Sequence, residues 1–219
     1  MKKKLMILLS MFMVVWCIGL TACGGSDAEN TGDTESSEAV EEETAAPTVF
    51  WGGYGYMGDD PVEGAVYKYM ATEVSKEYDV EEGMVSIPVV KVINRVDNED
   101  GSVDVYGLFE VYNYTVEGDT LECQSGGSHP GKMHLVKDEA AKAEEYKVES
   151  FEQVGDGSEF EPTAKAIFGD KYDEFMKADS DDEAKAALRT ETVANYVQAT
   201  GLEVTKYQDY GWDPVDITQ

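Results

Sequence analysis

The chain of 219 residues carries 17 Lys plus Arg against 45 Asp plus Glu, a net charge of −28. Such a balance argues against a nucleic-acid partner, because phosphates reward net positive patches, and against electrostatic adhesion to anionic lipid. Three cysteines, Cys17, Cys23 and Cys123, are too few and too scattered for a disulfide framework.

The N-terminus reads as an export signal. Lys2, Lys3 and Lys4 precede an apolar run from Leu5 to Leu20, shorter than a comfortable membrane span. Leu20-Thr21-Ala22-Cys23 follows and resembles the lipobox of bacterial lipoproteins. That resemblance implies diacylglyceryl attachment to the Cys23 sulfur, cleavage before it, and a chain held at the extracytoplasmic side of the cell membrane by lipid. Residues 1–22 are then the signal peptide. Its loss removes three of the 17 basic residues and none of the 45 acidic ones. It also discards Cys17, so Cys123 is left as the one thiol of the mature chain without a lipid.

Residues 23–48 are rich in Gly, Ser, Thr, Asp and Glu, with scarcely a large apolar side chain. Such a composition does not repay its ordering entropy and reads as an acidic tether. Residues 49–219 are long enough for a single α+β domain with its own core. Its opening, Trp51 to Met57, reads as an irregular aromatic lead-in.

Asp60, Pro61 and Glu63 then form an N-cap signature, and Val62, Val66, Tyr69, Met70, Val74 and Tyr78 recur at helix spacing. The β-branched run MVSIPVVKVINRV, the turn DNEDGS and VDVYGLFEVYNYTV read as a strand pair. DTLECQS, KMHLVKD and EEYKVESFEQV continue as strands, giving an antiparallel sheet of about four strands behind the helix. On the longest strand Val105, Phe109 and Val111 share one face, and Tyr106, Leu108, Tyr112 and Tyr114 the other. A wet second face would carry more charge, so that face is expected to be covered, concave or used for contact. Helices follow at Thr163 to Phe168, in DKYDEFM, and in DDEAKAALRTETVANYVQATG, where Ala184, Leu188, Tyr196 and Val197 are the candidate packing residues and Gly201 the stop. An edge strand is expected near Leu202 to Tyr207.

A helix followed by antiparallel strands resembles the cystatin-like and NTF2-like architectures, in which a curved sheet wraps a helix. Gly126-Gly127, Tyr146 to Phe151, Asp156-Gly157-Ser158 and Ile167-Phe168 are similar to small exported domains of Gram-positive bacteria, found as lipoproteins or attached to membrane-bound sensor peptidases. The likeness covers about forty residues and carries no catalytic residue over. The QxVxG loop expected of a protease-inhibiting cystatin is missing.

The stretch CQSGGSHPGKMH holds both histidines. Cys123, His129 and His134 would suit a soft metal ion, but C-x₅-H-x₄-H matches no compact zinc motif. No metal or other cofactor is assigned, and these three stand only as low-ranked ligand candidates. There is no GxSxG, HExxH, SxxK, CxxC, P-loop or dinucleotide fingerprint. With acidic residues so numerous, no carboxylate pair stands out. Aromatics remain: among 13 tyrosines and three tryptophans, Trp51, Tyr54, Tyr56, Tyr106, Tyr112, Tyr114 and Trp212 are candidate binding residues. The reading is a non-enzymatic, membrane-anchored binding or accessory module for a protein, peptide or envelope ligand. Its alternatives are an envelope enzyme with an NTF2-like pocket, or a metal-handling protein.

Overall fold

A computed structural model describes residues 56–140 and 145–217. Cys23, Trp51, Tyr54 and the proposed signal and tether lie outside the described residues. Helix α1 (Pro61–Thr72) begins where the cap signature places it: Asp60 Oδ1 accepts from the Val62 and Glu63 amides at 2.8 and 3.4 Å. One tight turn, Val74–Glu77, extends it. Five strands follow: β1 (Val85–Asp97), β2 (Val103–Glu117), β3 (Thr120–Ser128), β4 (Gly131–Lys137) and β5 (Tyr146–Gln153). Helices α2 (Phe160–Phe168), α3 (Tyr172–Asp179) and α4 (Asp182–Thr200) come next, then β6 (Lys206–Asp209) and β7 (Val215–Asp216).

The fold is α+β, and its sheet is mixed and seven-stranded rather than an antiparallel one of about four. β2 organises it. β1 pairs antiparallel along one edge of β2, from Val85 opposite Tyr114 to Asp97 opposite Val103. The other edge of β2 is shared. Residues Glu110 to Glu117 pair with β3, and Val103 to Gly107 pair with β4. The turn-rich GGSHPG between β3 and β4 is therefore not a hairpin. Gly126 and Gly127 lie inside β3, and the chain runs on in one direction through a kink at His129-Pro130. There the His129 amide still donates to Phe109 O at 2.7 Å, while Pro130 has no N–H to offer the ladder. β5 lies antiparallel on β4; β6 lies parallel on β3, and β7 closes against β6. Sequence proximity favoured antiparallel neighbours and did not disclose the parallel β3–β6 pair, which forms only after three intervening helices.

Both faces of the sheet are covered. Val103, Val105, Phe109 and Val111, with Met133 and Leu135 of β4, pack under Val62, Val66 and Met70 of α1. On the opposite face Leu108 meets Ala164, Phe168 and Phe175 of α2 and α3, with the two phenylalanine rings stacked 4.1 Å apart. Val85, Ile87, Tyr114 and Leu121 meet Val193, Tyr196 and Val197 of α4. The division of β2 into two faces follows its alternation, and the C-terminal helices fold back over the second face. α4 ends at Gly201 in the left-handed conformation, φ 69°. Its buried stripe is Arg189, Thr192, Val193, Tyr196 and Val197; Tyr196 and Val197 pack as expected, whereas Ala184 is exposed and Leu188 only half-buried.

Candidate functional site

Where α4 crosses the end of the sheet carrying β6 and β7, a cleft of about 370 Å³ opens between helix and strands. Its floor is Glu110 and Tyr112 of β2, one wall is Lys185 and Arg189 of α4, and the other is Tyr207, Asp209 and the turn carrying Trp212 and Asp213. The volume falls within the range of small-molecule sites.

Arg189 is its fixed point. This residue, one of two arginines in the chain, is 8% exposed although charged. Its Nη1 and Nη2 donate to Asp209 Oδ2 and Oδ1 at 2.8 and 2.6 Å, a fork-on-fork pair. Nε and Nη2 donate to the Tyr114 hydroxyl at 3.0 and 2.8 Å. The guanidinium carbon lies 3.7 Å from the centre of the Tyr112 ring and 4.9 Å from that of Tyr207. Burial opposes the Arg189 charge, but the bonds to Asp209 and Tyr114 outweigh it and hold its pKa above the ordinary arginine value. The same bonds, against partial burial, hold the Asp209 carboxyl below the usual aspartate value. Burial drives the Tyr112 and Tyr114 hydroxyls well above the usual phenol range, so both stay protonated.

Glu110 sits beside this assembly at 7% exposure. Its Oε2 accepts from the Tyr112 hydroxyl at 3.1 Å. Burial raises its pKa, while the Tyr112 bond, Lys185 and Arg189 pull it down, without cancelling the rise. Lys185 is already engaged: its Nζ donates to Asp179 O at 2.7 Å and pairs with Asp182 at 3.1 Å.

Of the described aromatic candidates, Tyr112 and Trp212 meet in the cleft, and Trp212 is 75% exposed there. Tyr114 lies beneath it in the core, fully buried, and offers no ring to a ligand. Tyr106 packs on Phe168 at 6.3 Å under α2. Tyr56 steadies the start of α1: its hydroxyl donates to Glu63, accepts from the Asp60 amide, and its ring leans on Tyr67. Burial, with Glu63 nearby, pushes that hydroxyl up to about 12. Of the three expectations for the second face of β2, covering is the one seen, with the cleft at its edge.

The metal candidates do not converge. Cys123 lies opposite Tyr114 and His134 opposite Asp104 on the same edge of β2, roughly 30 Å apart at strand rise. His129 sits between them, its ring bridging the Tyr78 hydroxyl at 2.9 Å and Gln153 at 3.0 Å. His134 Nδ1 meets Asp104 at 2.6 Å, an oriented carboxylate–imidazole pair, yet it lines neither the main cleft nor the depression beside it. Among the described residues no group of three or more His, Cys, Asp and Glu side chains could hold a metal ion. Cys123 borders that depression, about 300 Å³ on the far side of Asp209. Burial pushes its thiol up to about 11 against the pull of Arg189, which leaves it a poor nucleophile.

Glu110, Lys185, Arg189 and Asp209 were missed by sequence reasoning. Two of them, Arg189 and Glu110, carried a signal. Arg189 recurs in phase with Val193, Tyr196 and Val197, a charge on the apolar stripe of a helix. Glu110 recurs in phase with Leu108, Tyr112 and Tyr114, a charge on a covered strand face. Set against family models, curated proteins and solved structures, the chain matches none. Among the described residues no helix is long and apolar enough to cross a membrane.

Proposed function

We propose that this chain is a lipid-anchored, extracytoplasmic lipoprotein whose single α+β domain is a binding module, with the cleft between α4 and β6–β7 as its ligand site. The observation that carries the binding reading is the cleft itself: a small-molecule-sized recess in which Tyr112, Arg189 and Asp209 are held by mutual contacts before any ligand arrives, beside the exposed Trp212 ring. Pre-ordered polar groups with an exposed aromatic suit recognition at low ordering cost. The anchor reading rests on the sequence order Lys2-Lys3-Lys4, apolar run, Leu20-Thr21-Ala22-Cys23 and acidic tether. In finer terms the domain is of the cystatin-like or NTF2-like kind, a reading supported by a leading helix on a sheet of long strands.

Two measurements test this. In a bacterial host fed labelled fatty acid, the wild-type chain is expected to carry label and sediment with membranes, and Cys23→Ala to lose both; equal labelling of Cys23→Ala would sink the anchor. A small-molecule screen followed by the Trp212 indole resonance is expected to find ligands that shift it and whose affinity falls in Arg189→Lys. Ligands that bind without moving that resonance would place the site elsewhere.

A further inference from the structure

Charge bookkeeping within the cleft narrows its ligand. Two basic side chains line it, and each already has an acidic partner: Arg189 with Asp209, and Lys185 with Asp182. Glu110 and Asp213 are left over, so the recess carries an uncompensated negative charge. Glu110 is the telling one. Only one of its carboxylate oxygens, Oε2, has a hydrogen-bond donor among the described residues. No fully buried side-chain oxygen there lacks a partner, so the unpartnered Oε1 keeps some solvent contact, and Glu110 lines the cleft. A carboxylate held in a residue more than nine-tenths buried, with one oxygen bare, is set to accept from a donor that arrives with the ligand.

The surrounding groups decide which donor. An anionic ligand would meet two basic groups whose charges are already answered. A hard metal ion needs several converging oxygens, and no such group exists among the described residues. An ammonium group matches instead: it satisfies Oε1, neutralises the excess charge, and gains from the face of an indole within reach. Trp212 offers that face. Its backbone is tied at both ends, its amide donating to Asp209 O at 3.0 Å and its carbonyl accepting from Gln208 Nε2 at 2.6 Å, while its ring stands free. Val215 and Ala186 supply apolar wall for a short stem.

Resting on the reading of this cleft as the binding site, we infer that its ligand is a small organic cation, a primary ammonium on a short apolar stem, held by Glu110 and covered by Trp212. Binding draws Glu110 into its ionised form, so affinity falls as pH drops through the raised pKa of that carboxyl. The charged groups facing Glu110 are Lys185 and Arg189 from α4 and Asp179 from the end of α3. Arg189, held above the ordinary arginine value, keeps its charge throughout that range.

The test uses the full-length chain, purified in detergent and titrated calorimetrically with pentylamine, 1,5-diaminopentane, pentan-1-ol and pentanoate, with Trp212 emission followed in parallel. Both amines are expected to bind saturably and shift the emission, and the alcohol and the carboxylate are not. Glu110→Gln, nearly isosteric and still able to accept from Tyr112, is expected to weaken amine binding at least tenfold with an unchanged circular dichroism spectrum. Should that variant misfold, proton release measured on the wild type in two buffers of different ionisation enthalpy serves instead; its absence just below the raised pKa of Glu110 overturns the inference. Binding of pentanoate or pentanol with equal strength, and loss of that binding in Trp212→Ala, would overturn the cation while leaving the cleft as the site. Amine binding that persists in both Glu110→Gln and Trp212→Ala would overturn the two together.

Discussion

Arg189 shows how much one side chain decides here. A guanidinium this buried is tolerable only because four of its N–H bonds end on Asp209 and Tyr114 and its face lies on Tyr112. Removing it strands the Tyr114 hydroxyl in the core and leaves Asp209 without its counter-charge. Because Asp209 is partly solvated, the cost sits at the lower end for a broken buried pair. Arg189→Ala is expected to lose about 2–4 kcal/mol in urea unfolding. Arg189→Lys recovers less than half of that, since an ammonium cannot make the fork.

Glu110 and Asp209 set opposite pH dependences within one cleft. Burial holds the Glu110 carboxyl above its ordinary 4.5, so the folded chain keeps that proton better than the unfolded chain does. Its stabilising contribution is full below 4.5 and is lost as pH rises through the folded value. Asp209, held low by Arg189, contributes above the unfolded 3.8 and loses that contribution as pH falls. Glu110→Gln is therefore expected to be more stable than the wild type at about pH 7, with the difference gone by about pH 4. Urea midpoints at the two pH values check this; a constant difference would mean that folding does not raise the Glu110 pKa.

At the scale of elements, local chemistry was legible and long-range pairing was not. The cap at Asp60 with Pro61, the two faces of β2 and the stop at Gly201 are written in three or four neighbouring residues each, and all appear in place. The strand segments were also found within a few residues of their ends. What no local pattern stated was that β3 and β4 share one edge of β2, because GGSHPG carries turn residues whether or not the chain reverses. The cleft inherits that blindness: Tyr112 and Trp212 stood out as aromatics, but their meeting depends on β6 lying beside β3.

Close backbone approach also belongs to this scale. At Gly107, where β2 is paired on both edges, a Cβ would lie 2.6 Å from the Lys91 carbonyl oxygen and 3.1 Å from the Phe109 ring. Neither strand can shift without moving both cores. Gly107→Ala is expected to cost about 1–3 kcal/mol in urea unfolding, whereas an equal alanine at the exposed Gly118 turn would act only through its positive φ.

For the whole molecule, β2 is the member on which everything else depends. It takes β1 on one edge, β3 and β4 on the other, and lies under α1 on one face and the later helices on the other. An acidic surface surrounds this plan, so the basic side chains are spent on particular partners and not on a broad patch. Arg95 holds Asp60 and Asp97, and Arg189 holds Asp209.

The parallel seam between β3 and β6 has a kinetic consequence. Thr205 and Asp119, which bond across its start at 2.9 Å, are 86 residues apart, whereas the β1–β2 hairpin closes over a single short turn. Contacts that distant form after the nearby ones have repaid their own entropy. The β3–β6 seam, and with it the wall of the cleft that β6 supplies, is therefore expected to form after the β1–β2 hairpin. Pulse-labelling hydrogen exchange during refolding should protect the amides of β1 and β2 before those of β6; simultaneous protection would show that seam to be part of the nucleus. A ligand seated in the cleft would bridge early and late pieces, slowing the opening of a whole corner of the protein while making contact with only a few of its residues.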